Sequence, residues 1–531
     1  MLIRLVPACY ADPDLALNTG ETIFRQGVLA SGKPVEATRE PGMRMEGRDA
    51  ACVNCHRRSG FGSREGLLYI PPITGRYLFY PRVPGPGDVD VPYVEGMRVN
   101  RDPYTDATLA RAIREGLGSD GKPLSYLMPH FALDDTDMSA LIGYLKHLDQ
   151  RRLPGVTDTV LQFATIITPD ADPVMRKGML DVITQFFADK NTFPLNPTPH
   201  LRSHKWKYMV NRRWQLHIWQ LTGPPTTWQD QLERHFAQEP VLAVVSGLAG
   251  KTWAPVQAFC EREAVPCLFP NVGAPPPDAD HDYYSLYFSK GVELEAELIA
   301  DRLLKPDKGD IPKLVQQIFR AGDVGESGAK ALAASLEAQG IAVRSAVLPA
   351  GGAGHGLAKA VRQAAKADAL VMWLRPADIS ALGKAPTKPV SLFMSGLMGG
   401  LERAPLPSGW RERTSLAYPF ALPDQRIINV DYAFGWFRIR HIPVVAEQVQ
   451  ADTFLACGLL AETLKHMADN FVPEYMIERI EDMLDQRLVT GYYPHLSLAP
   501  GQRFASKGGY IARFAEPQGA QLIADGRWVV P

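Results

Sequence analysis

Two cysteines three positions apart, followed at once by a histidine, form the most chemically pointed run in the chain: Cys52-Val53-Asn54-Cys55-His56. Thiols at that spacing can each add to a vinyl group and tether a porphyrin by two thioether bonds, with the adjoining imidazole beneath the iron. The run predicts one covalent haem c, held by Cys52 and Cys55 with His56 as an iron ligand. Two other readings of the same residues stay open. A redox dithiol gives His56 no role of its own, and half a zinc site wants a second ligand pair that stands nowhere at suitable spacing.

A second axial ligand should come from a later loop, and Met128 in Leu127-Met128-Pro129-His130-Phe131 is the first choice. A proline after the methionine keeps that residue extended and stops the next helix from starting early. His130 is the rival; Met43, Met45, Met97 and Met138 rank lower, and Met128 as plain core filler is the bland account. Met/His ligation raises the reduction potential and leaves iron no open position. With no acid–base constellation in view, the residues favour an electron carrier over an enzyme.

The elements that must position these groups come next. Residues 12–150 are rich in Gly, Pro and Arg, with helical patterns only at the two ends. Asn18-Thr19-Gly20-Glu21 leads into Ile23, Phe24 and Val28. The later helix opens on Asp134-Asp135-Thr136-Asp137 and repeats apolar residues at Met138, Leu141, Ile142, Leu145 and Leu148. The loop-rich stretch between them lacks the periodic structure to build a core, and a haem would fill it. With Pro71-Pro72-Ile73-Thr74-Gly75 and Met128-Pro129 before a helix bearing Tyr144, residues 12–150 resemble a class I cytochrome c domain. The resemblance implies a small all-α domain whose first helix crosses its last near Gly20, Phe24 and Tyr144. The stretch from Phe24 to Cys52 is longer than the family's, so Gly32–Ala51 reads as an insertion that could cover a haem edge. Arg57 and Arg58 are candidate propionate partners or a solvated basic pair.

Residues 151–158, with Arg151-Arg152-Leu153-Pro154-Gly155, read as a linker. From 159 to 531 short apolar strands alternate with helices, the pattern of parallel sheets covered on both faces. Val241–Gly247, then a helix, then Val265-Pro266-Cys267-Leu268-Phe269-Pro270, the run from Tyr284 through Ser289, and the closing Gly526–Val530 make this span similar to periplasmic ligand-binding proteins of the branched-chain amino-acid receptor type. The resemblance implies an α/β fold of two lobes with a small molecule in the cleft, so the whole chain reads as multidomain. Ligands of open α/β sheets sit beyond the carboxyl ends of strands, which makes Ser246, Gly247, Ser289 and Asp323 candidate contacts; ordinary strand-to-helix punctuation is the alternative. The Ser-x-Ser/Thr pattern that would grip an α-carboxylate is absent, Gly247-Leu248-Ala249 standing in its place, so the ligand's identity stays open.

A chain of 531 residues with formal net charge −1 is multidomain by length and no dedicated nucleic-acid binder. The interleaved tryptophans and basic residues of Lys205–Trp228 read as an amphipathic strand pair. No apolar run reaches membrane-spanning length. Residues 1–11 read as a signal-peptide remnant, with Cys9-Tyr10-Ala11 before Asp12 like a cleavage site, or as a frayed terminus; a lipoprotein box is disfavoured by Pro7. Cys260 and Cys267 flank a short turn and could be a local disulfide or two buried thiols. The expectation is an exported, periplasmic electron-transfer protein with a redox partner protein and a small-molecule ligand. The alternative is a solute receptor or redox sensor whose haem is structural or regulatory.

Overall fold

The computed structural model describes residues 13–39, 42–65, 68–80, 101–148, 153–192, 212–277, 279–306, 309–385, 391–467, 470–485, 491–516, 519 and 521–531. The leader-like residues 1–11, Met97, Trp206 and the Arg151-Arg152 part of the linker lie outside them. The chain divides into two compact units: one runs to Pro154 and includes Glu462–Arg479, and the other takes Gly155–Pro194, Arg212–Ala461 and Ile480–Pro531.

The first unit contains α1 (Pro13–Gln26), β1 (Glu36–Arg39), β2 (Met43–Glu46), α2 (Val53–His56), β3 (Ser63–Glu65), β4 (Leu68–Ile70), α3 (Gly75–Phe79), α4 (Asp106–Glu115), β5 (His130–Phe131) and α5 (Asp135–His147). Helix α5 starts where its acids predict: the Asp134 side chain accepts from the Asp137 N–H, closing an N-terminal cap. Helix α1 crosses α5 at Gly20, where a Cβ would stand 2.2 Å from the Ala140 carbonyl oxygen, and one turn on the Phe24 and Tyr144 rings lie 5.4 Å apart. Only a glycine lets the two backbones approach so closely.

This unit is not all-α. The expected insertion folds as the β1–β2 hairpin, Ala37 facing Met45, and β1 also pairs with β5, Ala37 facing Phe131. A second hairpin joins β3 to β4. The stretch between the end helices also carries α4, capped reciprocally by Thr105 and Thr108 and ended by left-handed Gly116. A protein core forms there from Leu109, Ala112, Ile113, Phe131, Leu141 and Leu145 among others.

The second unit begins with β6 (Val160–Ile167), α6 (Pro173–Asn191), β7 (Arg213–Gln220), α7 (Trp228–Gln238), β8 (Ala243–Val245), α8 (Ala254–Arg262), β9 (Cys267–Leu268), β10 (Ser285–Leu286) and α9 (Val292–Leu304). Its five strands form a parallel sheet in the order β10-β9-β8-β6-β7. There follow β11 (Leu314–Arg320), α10 (Gly325–Glu337), β12 (Ala342–Leu348), α11 (Leu357–Ala364), β13 (Ala369–Trp373), α12 (Pro376–Ser380), β14 (Ser391–Ser395), α13 (Gly396–Gly399), α14 (Ser408–Arg411) and β15 (Thr414–Tyr418). Helices α15 (Pro423–Ile439), α16 (Glu447–Met467) and α17 (Pro473–Leu484) precede β16 (Tyr510–Phe514) and β17 (Leu522–Ala524), the end of α16 and the first half of α17 being the part that belongs to the first unit. The second sheet runs β12-β11-β13-β14-β15-β16-β17, parallel to β15 and antiparallel beyond it. Central strands such as β13 are buried at every residue, as strands covered on both faces must be.

The tryptophan-rich stretch gives one described strand, β7, rather than a strand pair. Trp219 and Trp228 are core residues, their indole N–H groups donating to Glu239 (2.9 Å) and the Gly223 carbonyl (3.1 Å). Cys260 and Cys267 are free, buried thiols. Among the described residues no helix is long and apolar enough to cross a membrane.

Candidate functional site

Cys52, Cys55, His56 and Met128 line one cavity of about 340 Å³ in the first unit. Ala51, Ile70, Pro72, Tyr77, Leu109, Ile113, Phe131 and Leu145 add to its walls, which are overwhelmingly apolar. The volume falls within the roughly 300–1,000 Å³ of ordinary small-molecule sites. Helix α2, a single turn with Cys52 at its N-cap, carries the motif; the Pro71-Pro72-Ile73 loop faces it, and Met128 precedes β5.

The His56 ring is buried, and its Nδ1 lies 3.0 Å from the Pro71 carbonyl oxygen. A carbonyl only accepts, so Nδ1 carries the proton and donates, which leaves the lone pair on Nε2. Burial lowers the imidazole pKa to about 4, the Pro71 contact opposing it only partly. The ring is therefore neutral at physiological pH, with its tautomer set by a backbone acceptor, as an imidazole ligand to a metal requires.

Burial pushes the Cys52 thiol up to about 12. Dithiols that exchange with disulfides depend on a depressed pKa, which Cys52 does not have. Among the described residues no group of three or more His, Cys, Asp or Glu side chains is placed to hold a metal ion. Two thiols, a neutral imidazole and a thioether around an apolar slot fit the porphyrin that the motif implies.

The structure sorts the rival ligands. His130 pairs with Thr38 in the β1–β5 ladder and does not line the cavity. Met43 is exposed and Met138 sits in the core. Met45 is different: the hairpin brings its side chain to the cavity, a placement that its sequence neighbours do not signal. Arg57 and Arg58 are half-buried and absent from the lining, whereas Arg101 is part of it.

The turn just after the motif is fixed from far along the chain. Ser59 donates its backbone N–H to the Glu478 carboxylate at 3.0 Å, and its hydroxyl to the same group. Phe61 stacks on Tyr475, ring centroids 4.4 Å apart. Sequence reading missed both, since nothing local marks residues more than four hundred positions away as neighbours.

In the second unit the four candidate contacts separate. The Ser246 hydroxyl is fully buried, donating to Thr453 Oγ1 (2.8 Å) and accepting from Asn271 Nδ2 (3.0 Å). A Cβ on Gly247 would stand 2.2 Å from the Trp253 ring, so that glycine serves close packing. Ser289 Oγ accepts from the Gly291 N–H at 3.1 Å. Asp323 makes a two-bond ion pair with Arg375, 2.6 and 2.7 Å. Burial works to raise the Asp323 pKa, but Arg375, the Val324 N–H and Lys251 outweigh it and hold the carboxyl below its ordinary value. Asp172 acts on Arg375 in turn. Charged groups from the ends of both sheets thus converge around one ion pair.

No protein-family model matches the sequence, and no curated protein matches it. Solved structures do match its fold. Leucine-binding protein LivK of Thermotoga maritima is 11% identical, the match covering 70% of this chain and 99% of that one, with TM-score 0.51. LivJ of Streptococcus pneumoniae, solved with isoleucine, is 12% identical over 70% and 100% of the two chains, TM-score 0.50. A Thermus thermophilus branched-chain amino-acid ABC transporter protein with bound valine is 10% identical over 70% and 97%, TM-score 0.51. At such identities the likeness establishes the fold: most of the chain has the two-lobed α/β architecture of periplasmic binding proteins.

Proposed function

We propose that the chain is an exported receptor-type protein that carries one covalent haem c. Thioether bonds from Cys52 and Cys55 would anchor it, and His56 and Met128 would be its iron ligands. The observation that carries the reading is the meeting of those four side chains at one apolar cavity, with His56 oriented by the Pro71 carbonyl. A haem bound there supplies one-electron exchange between ferric and ferrous iron. The protein's own part is to hold the neutral His56 tautomer, supply a thioether from the Met128 loop and exclude water by Leu109, Ile113, Phe131 and Leu145.

Two roles follow. As an electron carrier, the protein passes charge to a redox partner protein in the periplasm while the two-lobed unit holds a small molecule. As a solute receptor, it uses the haem for structure or regulation, and the likeness to LivK and LivJ favours this second role. Intact-mass analysis of protein made with the haem-attachment machinery tests the common premise. A porphyrin adduct lost in C52A/C55A supports it; protein with no adduct ends it. Redox titration with and without captured solutes then separates the roles, because ligand binding and potential must shift each other reciprocally if the haem reports occupancy.

A further inference from the structure

We propose that Arg101 is the binding partner of a haem propionate, an assignment that rests on the haem reading above. A c-type porphyrin carries two carboxylates, and a carboxylate taken into an apolar cavity requires a paired, hydrogen-bonding cation. Apart from the neutral His56, Arg101 is the basic side chain of the lining. Its guanidinium is built in: Nη2 donates to the Tyr77 carbonyl at 2.8 Å, and Nη1 to those of Leu78 (3.3 Å) and Asp102 (3.0 Å). Its carbon lies 4.5 Å from the Tyr104 ring centre and 5.1 Å from that of Tyr77.

These contacts fix the fork without neutralising it. Among the described residues no carboxylate makes an ion pair with Arg101, although arginines 25, 114, 320 and 375 each have one. A half-buried guanidinium pinned by carbonyls at the wall of an apolar cavity, and with no carboxylate partner among the described residues, is placed to take a carboxylate on two parallel N–H groups. Arg57 and Arg58, the sequence candidates, do not line the cavity. The other titratable groups near Arg101 are the hydroxyls of Tyr77 and Tyr104, with Asp120 and Arg111 acting on Tyr104; Asp102 is its chain neighbour, and Asp49 belongs to the lining.

The test uses full-length protein matured with haem: wild type, R101Q and R101K, with intact mass and midpoint potential measured from pH 5.5 to 8.5. With Arg101 in place the propionate stays ionised and the potential is flat over that range. In R101Q the propionate loses its counter-charge and titrates within it, so the potential falls as pH rises, because a negative carboxylate favours ferric iron. R101K, which keeps the charge, restores the flat profile. Haem-loaded R101Q with a profile as flat as wild type overturns the assignment alone. Wild type without a porphyrin adduct overturns the haem reading, and this assignment with it. Should R101Q fail to accumulate, R101K decides by resonance Raman: loss of the two-donor fork shifts the propionate bending mode, and an unshifted mode overturns the assignment.

Discussion

Glu295 on α9 offers a prediction whose size follows from its surroundings. Its side chain is fully buried, accepting from the Leu397 N–H at 2.9 Å and from the Ser395 hydroxyl. Burial raises its pKa from 4.5 to about 8, although the Ser395 hydroxyl and the Leu397 and Gly396 amides act the other way. In the pH range between those two values the unfolded chain has released the proton that the folded chain keeps. Stability is therefore full below about pH 4.5, falls at up to roughly 1.4 kcal/mol per pH unit, and levels off above pH 8. The total is on the order of 5 kcal/mol, an upper bound because any relaxation around the carboxylate reduces it. In Glu295→Gln the ionisation is gone, the amide oxygen still accepts from Leu397, and the amide N–H can donate to Ser395. The variant should match wild type within about 1–2 kcal/mol near pH 5 and exceed it by several kcal/mol near pH 8.5. All the described tryptophans lie in the second unit with Glu295, so urea unfolding followed by tryptophan fluorescence reads the right transition. Parallel stability–pH curves for wild type and E295Q between pH 5 and 8.5 would show that the buried carboxyl does not titrate as reasoned.

Four further outcomes follow from the structure. Met128→Leu conserves apolar volume and should cost under about 1.5 kcal/mol of stability; if haem is bound as proposed, it should also remove the methionine-to-iron charge-transfer band, whereas Met45→Leu should leave that band in place, and the reverse pattern in the absorbance spectra would exchange the two roles. Gly20→Ala puts a methyl 2.2 Å from the Ala140 oxygen and 2.6 Å from Tyr144 Cβ, so thermal unfolding of the first unit should show a loss at or above the 1–3 kcal/mol typical of overpacking. The Cys260 and Cys457 thiols, raised by burial, should resist alkylation in the native protein and react only after unfolding, as counted by mass spectrometry. Ser59→Ala leaves Glu478 with one donor fewer beside the motif and should destabilise the first unit by about 1–3 kcal/mol, measured by thermal unfolding followed by far-ultraviolet circular dichroism.

What the sequence disclosed about these groups followed the range of the interactions that place them. Cys52, Cys55 and His56 share one helical turn, so their juxtaposition is a property of five consecutive residues. The buried strands of the second unit read clearly because strands covered on both faces are continuous apolar runs. Helix α4 was overlooked although Thr105 at its start and Gly116 at its end are ordinary helix boundaries; the surrounding Gly and Pro masked a ten-residue amphipathic pattern. Met45, Arg101 and Glu478 were beyond reach for a different reason. Each acquires its position from a strand pairing, a set of backbone carbonyls or a helix from the far end of the chain, and no local pattern encodes those.

The candidate ligand contacts of the second unit show the same principle from the other side. Strand-end residues were chosen as ligand contacts because open α/β sheets present them there, yet a strand end is also where buried polar groups find one another. Ser246 is committed to Thr453 and Asn271, and Asp323 to Arg375. A ligand that displaces Arg375 must offer Asp323 a cation, because the Asp323 side chain is only 14% exposed, whereas Arg375, 48% exposed, can turn to water. A solute bearing a cationic group could take the place of Arg375 there, whereas a purely apolar one leaves the pair standing. If a solute meets this pair, Arg375→Ala should change which solutes native mass spectra show bound, and the same set in wild type and variant would refute that expectation.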